Sequence, residues 1–317
     1  HKMEQGFKQM FNEEMSGKFH SPLEPNDHPE LDTSELLEAD EVQKYQSLIG
    51  SLQWLITLGR FDIQTAVMTL SSFRALPRRG HLERAKRICK YVSKFRFFTI
   101  KFKPLAPDLS MFDNSKPNSW ESIYGKGKED LPPDAPPPLG KPVTLVHFFD
   151  ASLMHDVITG KAVTGTVHLA NGTPVMWHSK KQATVETATY GAEFCAGRTC
   201  IEQVVDLRNT FRYLGVPVHQ TSYVFGDNKS MIDSAVFPHS RLHKRHNILS
   251  FHYVRCMISK GFISLNHVPS EDNLADIVTK HWSYAAVYRR LLKPVFHYIG
   301  NTSTLYIDDK GDDEMVT

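Results

Sequence analysis

The sequence predicts a mixed α/β protein: a mixed sheet with helices packed on it in the second half, preceded by a small helical unit. Three observations predict it. Apolar residues repeat at helical spacing between Tyr45 and about Phe102, three short β-rich runs follow residue 142, and helices then alternate with single strands. The length agrees, because 317 residues with 41% hydrophobic content can bury two modest cores.

In the helical unit, Leu48, Leu52, Leu55 and Ile56 share one face and Leu82, Ala85, Cys89 and Val92 another. Eleven Lys or Arg lie between Arg74 and Lys103 against a single acid, Glu83, whereas the whole chain carries a net charge of only +2. Arg84, Lys86, Arg87, Lys90 and Lys94 recur along one helix, a pattern that fits either a solvated face or a track for phosphates. Residues 104–142 lose periodicity and end in LPPDAPPPLGKP; proline fixes φ and removes donors, so this stretch reads as a semi-rigid connector. The sheet domain is therefore expected to fold from near Lys141.

The runs VTLVHFFDAS, AVTGTVHLAN and TPVMWHS form a strand meander. A long helix from about Glu186 to Leu214 follows, stopped by Gly215 and Pro217. Next come a strand (TSYVFGD), a short helix, a helix from about His243 to Lys260, a strand (FISLNHV) and a helix from about Glu271 to Trp282. The expected division is 1–103, a linker at 104–142, the sheet domain at 143–283 and a tail at 284–317.

Composition narrows the class. Cys89, Cys195, Cys200 and Cys256 form no C-x-x-C pair and read as free thiols in a reducing compartment. No apolar run approaches the roughly 20 residues that span a bilayer, and HKMEQGFKQM lacks the apolar core of a signal peptide, so no membrane partner is expected. A first residue of His1 suggests a piece of a longer chain.

Four acids stand in places where a carboxylate is expensive or useful. Asp150 follows VTLVHFF in phase with Val146 and Phe148. Glu193 extends by four residues the inner helical row Gly197, Cys200, Val204, Leu207, Phe211 and Leu214. Asp227 ends a strand and precedes a helix, where α/β proteins put ligand groups. Asp276 lies opposite Leu274, Ile277 and Val278. Taken singly, each also fits a structural role: a turn aspartate, a helix-terminus charge, an N-cap and an exposed side chain. Together they suit Mg²⁺, a hard ion that prefers carboxylate oxygen, and a pair of such ions can activate a water and stabilise a phosphodiester's leaving oxygen.

The motifs FFDAS, SKKQATVETATYGAEF, FGDNKS, KRHNILSFHYVR and LADIVTKHW resemble, in order, the ribonuclease H (RNase H) domain of copia-type retrotransposon Pol polyproteins. The run YQSLIGSLQWLITLGRFDIQTAVMTLSSFRALPRRGHLERAKRICKYV resembles the segment after the polymerase palm in the same polyproteins. The resemblance implies an RNase H-like five-stranded sheet preceded by a thumb-like helical domain, and hydrolysis of the RNA strand of an RNA–DNA hybrid. It puts the metal quartet on Asp150, Glu193, Asp227 and Asp276, with Asp272 one turn earlier as the fallback, two Mg²⁺ as cofactor and Mn²⁺ as substitute. His267 is the nearest match to a histidine that assists product release. Lys180, Lys181, Lys244 and Arg245 join the basic helix as candidate phosphate contacts. The implied partners are the hybrid and the rest of the Pol polyprotein, in the cytoplasm within a virus-like particle or in the nucleus.

No paired-aspartate polymerase motif is found; Asp308-Asp309 and Asp312-Asp313 lie beyond the nuclease motifs. An integrase-type site is disfavoured because its glutamate would come last. An inactive remnant or hybrid-binding module stays open, as does zinc on His239, His243 and His246.

Overall fold

The structure is a computed structural model that describes residues 2–17, 19–112, 120–125, 127, 129, 131–218, 221–242 and 245–298. The chain divides into two compact units, one within 1–101, 156–158 and 280–317, the other within 102–155 and 159–279.

The first unit opens with α1 (Lys2–Phe11), α2 (Ala39–Thr57), α3 (Gln64–Ser71), α4 (Arg79–Lys94) and strand β1 (Phe98–Ile100). Leu48 and Leu52 from α2 and Leu82, Ala85, Cys89 and Val92 from α4 are buried, as the helical spacing predicts, and Tyr45, Ile49, Ile88 and, from α3, Ala66, Val67 and Leu70 join them. Leu55 and Ile56 lie only partly within this core. Between α2 and α3 the buried Arg60 guanidinium meets the Asp62 carboxylate at 2.7 and 2.9 Å, and Tyr91 donates to Asp62 at 2.8 Å. The charges are tolerable there because each neutralises the other, both carboxylate oxygens accept from the guanidinium, and Tyr91 adds a further bond to Oδ2.

The second unit is built on one five-stranded sheet. After the short α5 (Glu121–Tyr124) come β2 (Leu145–Asp156), β3 (Lys161–Ala170), β4 (Thr173–Lys181), α6 (Thr189–Tyr213), β5 (Ser222–Gly226), α7 (Lys229–Val236), α8 (Ile248–Ser259) and β6 (Ile263–His267). The spatial order is β4-β3-β2-β5-β6; β3 and β4 pair antiparallel, while β2 with β5 and β5 with β6 pair parallel. The sheet is thus mixed, as the sequence predicts. β2 lies in the interior of the order, which is why its run LVHFF is apolar on both faces.

Phe149, Val224, Ile263 and Leu265 from the strands pack with Phe194, Cys200, Ile201 and Val204 of α6 and Phe251 and Val254 of α8 in one core. Burial of each such side chain is worth ~1.5–3 kcal/mol. Two buried histidines of β2 and β3 are paired. His147 and His168 face each other through their Nδ1 atoms at 2.7 Å, and His168 Nε2 meets Gln203 Oε1 at 3.0 Å.

Two expectations change here. The inner row of α6 does not run to Leu214, which is 71% exposed; fully buried Arg208 takes the inward place. It can do so because Glu129, from the proline-rich stretch, accepts from Arg208 Nε at 2.8 Å and Nη2 at 2.7 Å and from Arg212 at 2.5 Å. Those hydrogen bonds outweigh burial and hold Glu129 below the usual carboxylate range. Phe112 packs edge-on to Phe225, and the Arg255 guanidinium lies over the Trp120 ring. The stretch read as a connector is therefore fastened to the sheet unit at several points.

The second change is at 271–282, where a helix is expected. Two 3₁₀ turns, Ser270–Asp272 and Leu274–Val278, stand there instead. Asn273 breaks the run: its backbone is extended, its side chain accepts from the Ala275 N–H, and its amide donates across to the Phe149 carbonyl at 3.0 Å. Beyond it the chain returns to the first unit with α9 (Tyr284–Val287), a π-helical turn, α10 (Lys293–Val295) and β7 (Phe296–Tyr298), which pairs antiparallel with β1. Residues 284–298, read as tail, are thus built into that unit: Phe296 stacks on Phe61 and Phe98. Residues beyond 298 lie outside the described residues.

Burial of polar groups has two measurable consequences. Removing Glu129 strands the fully buried Arg208, so Glu129→Gln is expected to cost about 3 kcal/mol in urea unfolding. A chain starting at Lys141 should be destabilised at least as much, while one starting at Phe102 keeps the contact; equal stability of the two would refute this account. The histidine pair predicts a pH effect. Burial pushes the His168 imidazole down to about 4 and His147 well below its ordinary value. The unfolded chain therefore binds protons before the native one does, and stability present above the unfolded value near 6.5 is lost as pH falls toward 4. For His168 alone the loss is on the order of 3 kcal/mol. Urea melts between pH 7 and 4 should show it, with a flatter profile for His168→Gln.

Candidate metal centre

Strand register brings the first two carboxylates together. β2 and β5 run parallel with Phe148 level with Phe225, and Asp150 and Asp227 each follow that last paired position by two residues. Both lie where the parallel pairing ends, the edge of an α/β sheet at which ligand groups collect.

The third carboxylate comes from α6, whose approach to the sheet is set by small residues. A Cβ on Gly197 would stand 2.8 Å from Met231 and 3.4 Å from the Phe149 ring, and one on Gly226 only 2.5 Å from Phe149 Cζ. The Phe149 ring thus fills the room that two glycines leave, and α6 lies close above it. One turn before Gly197, Glu193 is carried to the same edge. Gln182 fixes the helix start by donating from its Nε2 to the Ala192 carbonyl at 2.9 Å and to Thr164 at 3.0 Å.

Asp150, Glu193 and Asp227 each place a carboxylate oxygen within 4.8 Å of the others. Asp150 and Glu193 are 2% exposed and Asp227 is half-buried. Three acids from three elements in so small a space repel one another and bear the cost of lost hydration. A hard divalent cation answers both, since it takes carboxylate oxygens as ligands; the all-oxygen donor set fits Mg²⁺ or Mn²⁺ and lacks the sulfur or imidazole of a zinc site. Of the alternative zinc histidines, His243 and the His246 side chain lie outside the described residues.

Among the described residues the group does not include Asp276. That residue is half-buried on the turn Leu274–Val278, between fully buried Ala275 and Ile277, and Asp272 is exposed on the preceding turn. His267 is exposed at the end of β6, level with Gly226, and its Nε2 lies 3.1 Å from the Asp227 carbonyl oxygen. Sequence reasoning passed over Asn273 and Thr279, both fully buried. Thr279 donates to Asp150 Oδ2 at 2.5 Å. The signal for them is two polar residues bounding the run LADIV, which is apolar apart from Asp276.

The basic helix is not bare. In the first unit Arg84 meets Asp27 at 2.9 Å and Asp32 at 2.6 Å, Lys86 meets Glu13 at 2.9 Å, Arg87 meets Glu24, and Lys90 meets Glu13 at 3.5 Å. Lys94 Nζ lies 2.5 Å from His20 Nε2. The Lys86 hydrogen bond, against slight burial, holds Glu13 below the usual carboxylate range. In the second unit Lys180 and Arg245 are exposed and Lys181 half-buried; Lys244 lies outside the described residues.

No family model matches the chain. Its homologues are retrovirus-related Pol polyproteins of plant copia-type transposons. It is 25% identical over 268 residues to the Retrovirus-related Pol polyprotein from transposon RE1 of Arabidopsis thaliana, covering 84% of this chain and 16% of that protein. With the Pol polyprotein from transposon TNT 1-94 of Nicotiana tabacum it shares 25% over 237 residues, covering 74% and 15%. The chain thus spans about one-sixth of the length of these relatives. Solved structures similar to it include the N-terminal RNase H domain of rv2228c from Mycobacterium tuberculosis (TM-score 0.35, 15% identity, 43% of this chain and 91% of that one). Another is LC11-RNase H1 in complex with RNA/DNA hybrid (TM-score 0.32, 18% identity, 43% and 94%). No helix among the described residues is long and apolar enough to cross a membrane.

The pairing predicts what Arg84 does. If it is a clamp for the segment carrying Asp27 and Asp32, Arg84→Ala should cost the chain about 2 kcal/mol of stability, the scale of charged hydrogen bonds. If the chain binds hybrid, the salt slope of that binding should stay unchanged. A slope reduced by about 1, with stability kept, would make Arg84 a phosphate contact instead.

Proposed function

We propose that the chain is the RNase H part of a copia-type retrotransposon Pol polyprotein, cleaving the RNA strand of RNA–DNA hybrids within the strand. The convergence of Asp150, Glu193 and Asp227 within 4.8 Å carries this reading, and the Pol homologues support it. Asp276, on a segment bonded to β2 through Asn273, is the fourth member we assign.

When bound, two Mg²⁺ ions, or Mn²⁺ in their place, supply an activated water and stabilise the leaving oxygen of the phosphodiester. The chain's own residues hold and orient. Asp150, Glu193 and Asp227 keep their oxygens converged without rearrangement, because register and helix packing fix them before substrate arrives. To His267, whose Nε2 lies beside the Asp227 carbonyl, we assign the holding or passing of a proton as product leaves. Lys180, Lys181 and Arg245 are the second unit's positions for hybrid phosphates. The setting we assign is the cytoplasm, alongside the remainder of the polyprotein.

Asp227→Asn and Glu193→Gln conserve shape and remove a ligand charge. Each is expected to lower hybrid cleavage in Mg²⁺ by a hundredfold or more. Glu193→Gln should also leave the metal-free melting temperature unchanged or raised, because repulsion among the acids is relieved. The check is cleavage of a labelled hybrid, with Mg²⁺ and with chelator, beside thermal melts. Equal cleavage by wild type and Asp227→Asn would sink the reading, and tight hybrid binding without cleavage would leave a binding module.

A further inference from the structure

We infer that Thr279 is a positioning residue for the metal centre, setting the rotation of the Asp150 carboxylate through its hydroxyl; this rests on the metal-dependent reading above. Thr279 Oγ1 lies 2.5 Å from Asp150 Oδ2 and 3.0 Å from the Ala275 carbonyl oxygen. A hydroxyl has one proton, and both of these partners accept. An ionised carboxylate is the stronger acceptor, so the proton goes to Asp150. One oxygen of the carboxylate is thereby tied down and the plane of the group is fixed.

The surroundings make the tie stiff. Thr279 is fully buried, and its methyl Cγ2 would stand 2.2 Å from a Cβ on Gly165, so β3 leaves a notch there that the threonine methyl fills. A β-branched side chain seated in a notch has one rotamer open to it, and the hydroxyl direction follows. The same short segment is tied a second time, where the Asn273 amide donates to the carbonyl of Phe149, the residue before Asp150. Backbone and carboxylate of the Phe149-Asp150 step are therefore both held from one segment, which also carries Asp276. Outer partners of ligating carboxylates typically change metal affinity or activity by about 10–100-fold when removed.

The experiment titrates Mn²⁺ into the full chain without nucleic acid, following the free-ion electron paramagnetic resonance signal, for wild type, Thr279→Val, Thr279→Ala, Thr279→Ser and Asp227→Asn. Val and Ala remove the hydroxyl with and without its volume, so one folded variant of the two suffices, with fold checked by circular dichroism. The expected result is Mn²⁺ affinity at least tenfold weaker for Val and Ala, with Ser, which keeps the hydroxyl but loses the seated methyl, between them and wild type. Wild-type affinity in folded Val or Ala overturns the inference, as does an equal loss in Ser, which would assign the effect to packing. If wild type binds no Mn²⁺, or Asp227→Asn binds it as wild type does, the metal-dependent reading itself has failed. Loss in Asp227→Asn with none in Val or Ala would remove the role of Thr279 alone.

Discussion

The parallel register of β2 against β5 is the constraint on which the rest of the second unit depends. With Phe148 level with Phe225, Asp150 and Asp227 both come two residues after the last paired position, and their carboxylates meet within 4.8 Å. Shifting the register by one residue would turn Asp150 or Asp227 to the opposite face, because strand side chains alternate with period two. The Phe149 ring locks the register: Gly226 on β5 and Gly197 on α6 are the places where a side chain would collide with it. A single aromatic ring therefore couples strand alignment to helix height, and helix height decides whether Glu193 reaches the other two acids.

Such a site sets function against stability. Buried carboxylates that repel one another add nothing to the fold without a cation, so the structure around them must be stable for other reasons. The apolar contacts of Phe149, Phe194 and Val204 supply that stability directly behind the acids. The segment 273–279 adds to it with directional bonds from Asn273 and Thr279 to β2. It is short and turn-built where a regular helix would satisfy its own backbone groups. That irregularity is what frees the Asn273 side chain to reach a strand carbonyl.

Much of this was legible in the sequence, for a physical reason. Asp150 and Glu193 stand in phase with apolar residues, and a charge in a core-facing row is costly enough to be noticed without coordinates. The strand and helix order from β2 to β6 was legible from local periodicity. What was not legible depends on partners far away in the chain. Glu129 pairs with Arg208 across 79 positions, so the proline-rich stretch looked like a spacer and Leu214 like a core residue. Phe296 stacks on Phe61, a contact that no local pattern in the apolar patch near residue 296 announces. Asn273 and Thr279 are polar residues in a short motif, and only the carbonyl and carboxylate opposite them give them meaning.

The basic helix shows the same limit most sharply. Counted over Arg74–Lys103, charge looks strongly positive, because the window contains one acid. In three dimensions Glu13, Glu24, Asp27 and Asp32 stand against it, from a segment more than 50 positions earlier. Each arginine held in this way gives up donors that a phosphate would need, and a nucleic acid would have to displace a carboxylate of like charge to recover them. Leu23 and Pro29 of that acidic segment are themselves buried, and the His81 imidazole lies 2.8 Å from the Pro29 carbonyl oxygen. The segment is therefore part of the first unit's packing as well as its charge balance. The cations of α4 then serve first to fasten acidic chain to helix. Phosphate binding through α4 would have to work against contacts that hold the unit together, whereas Lys180 and Arg245 stand exposed in the second unit.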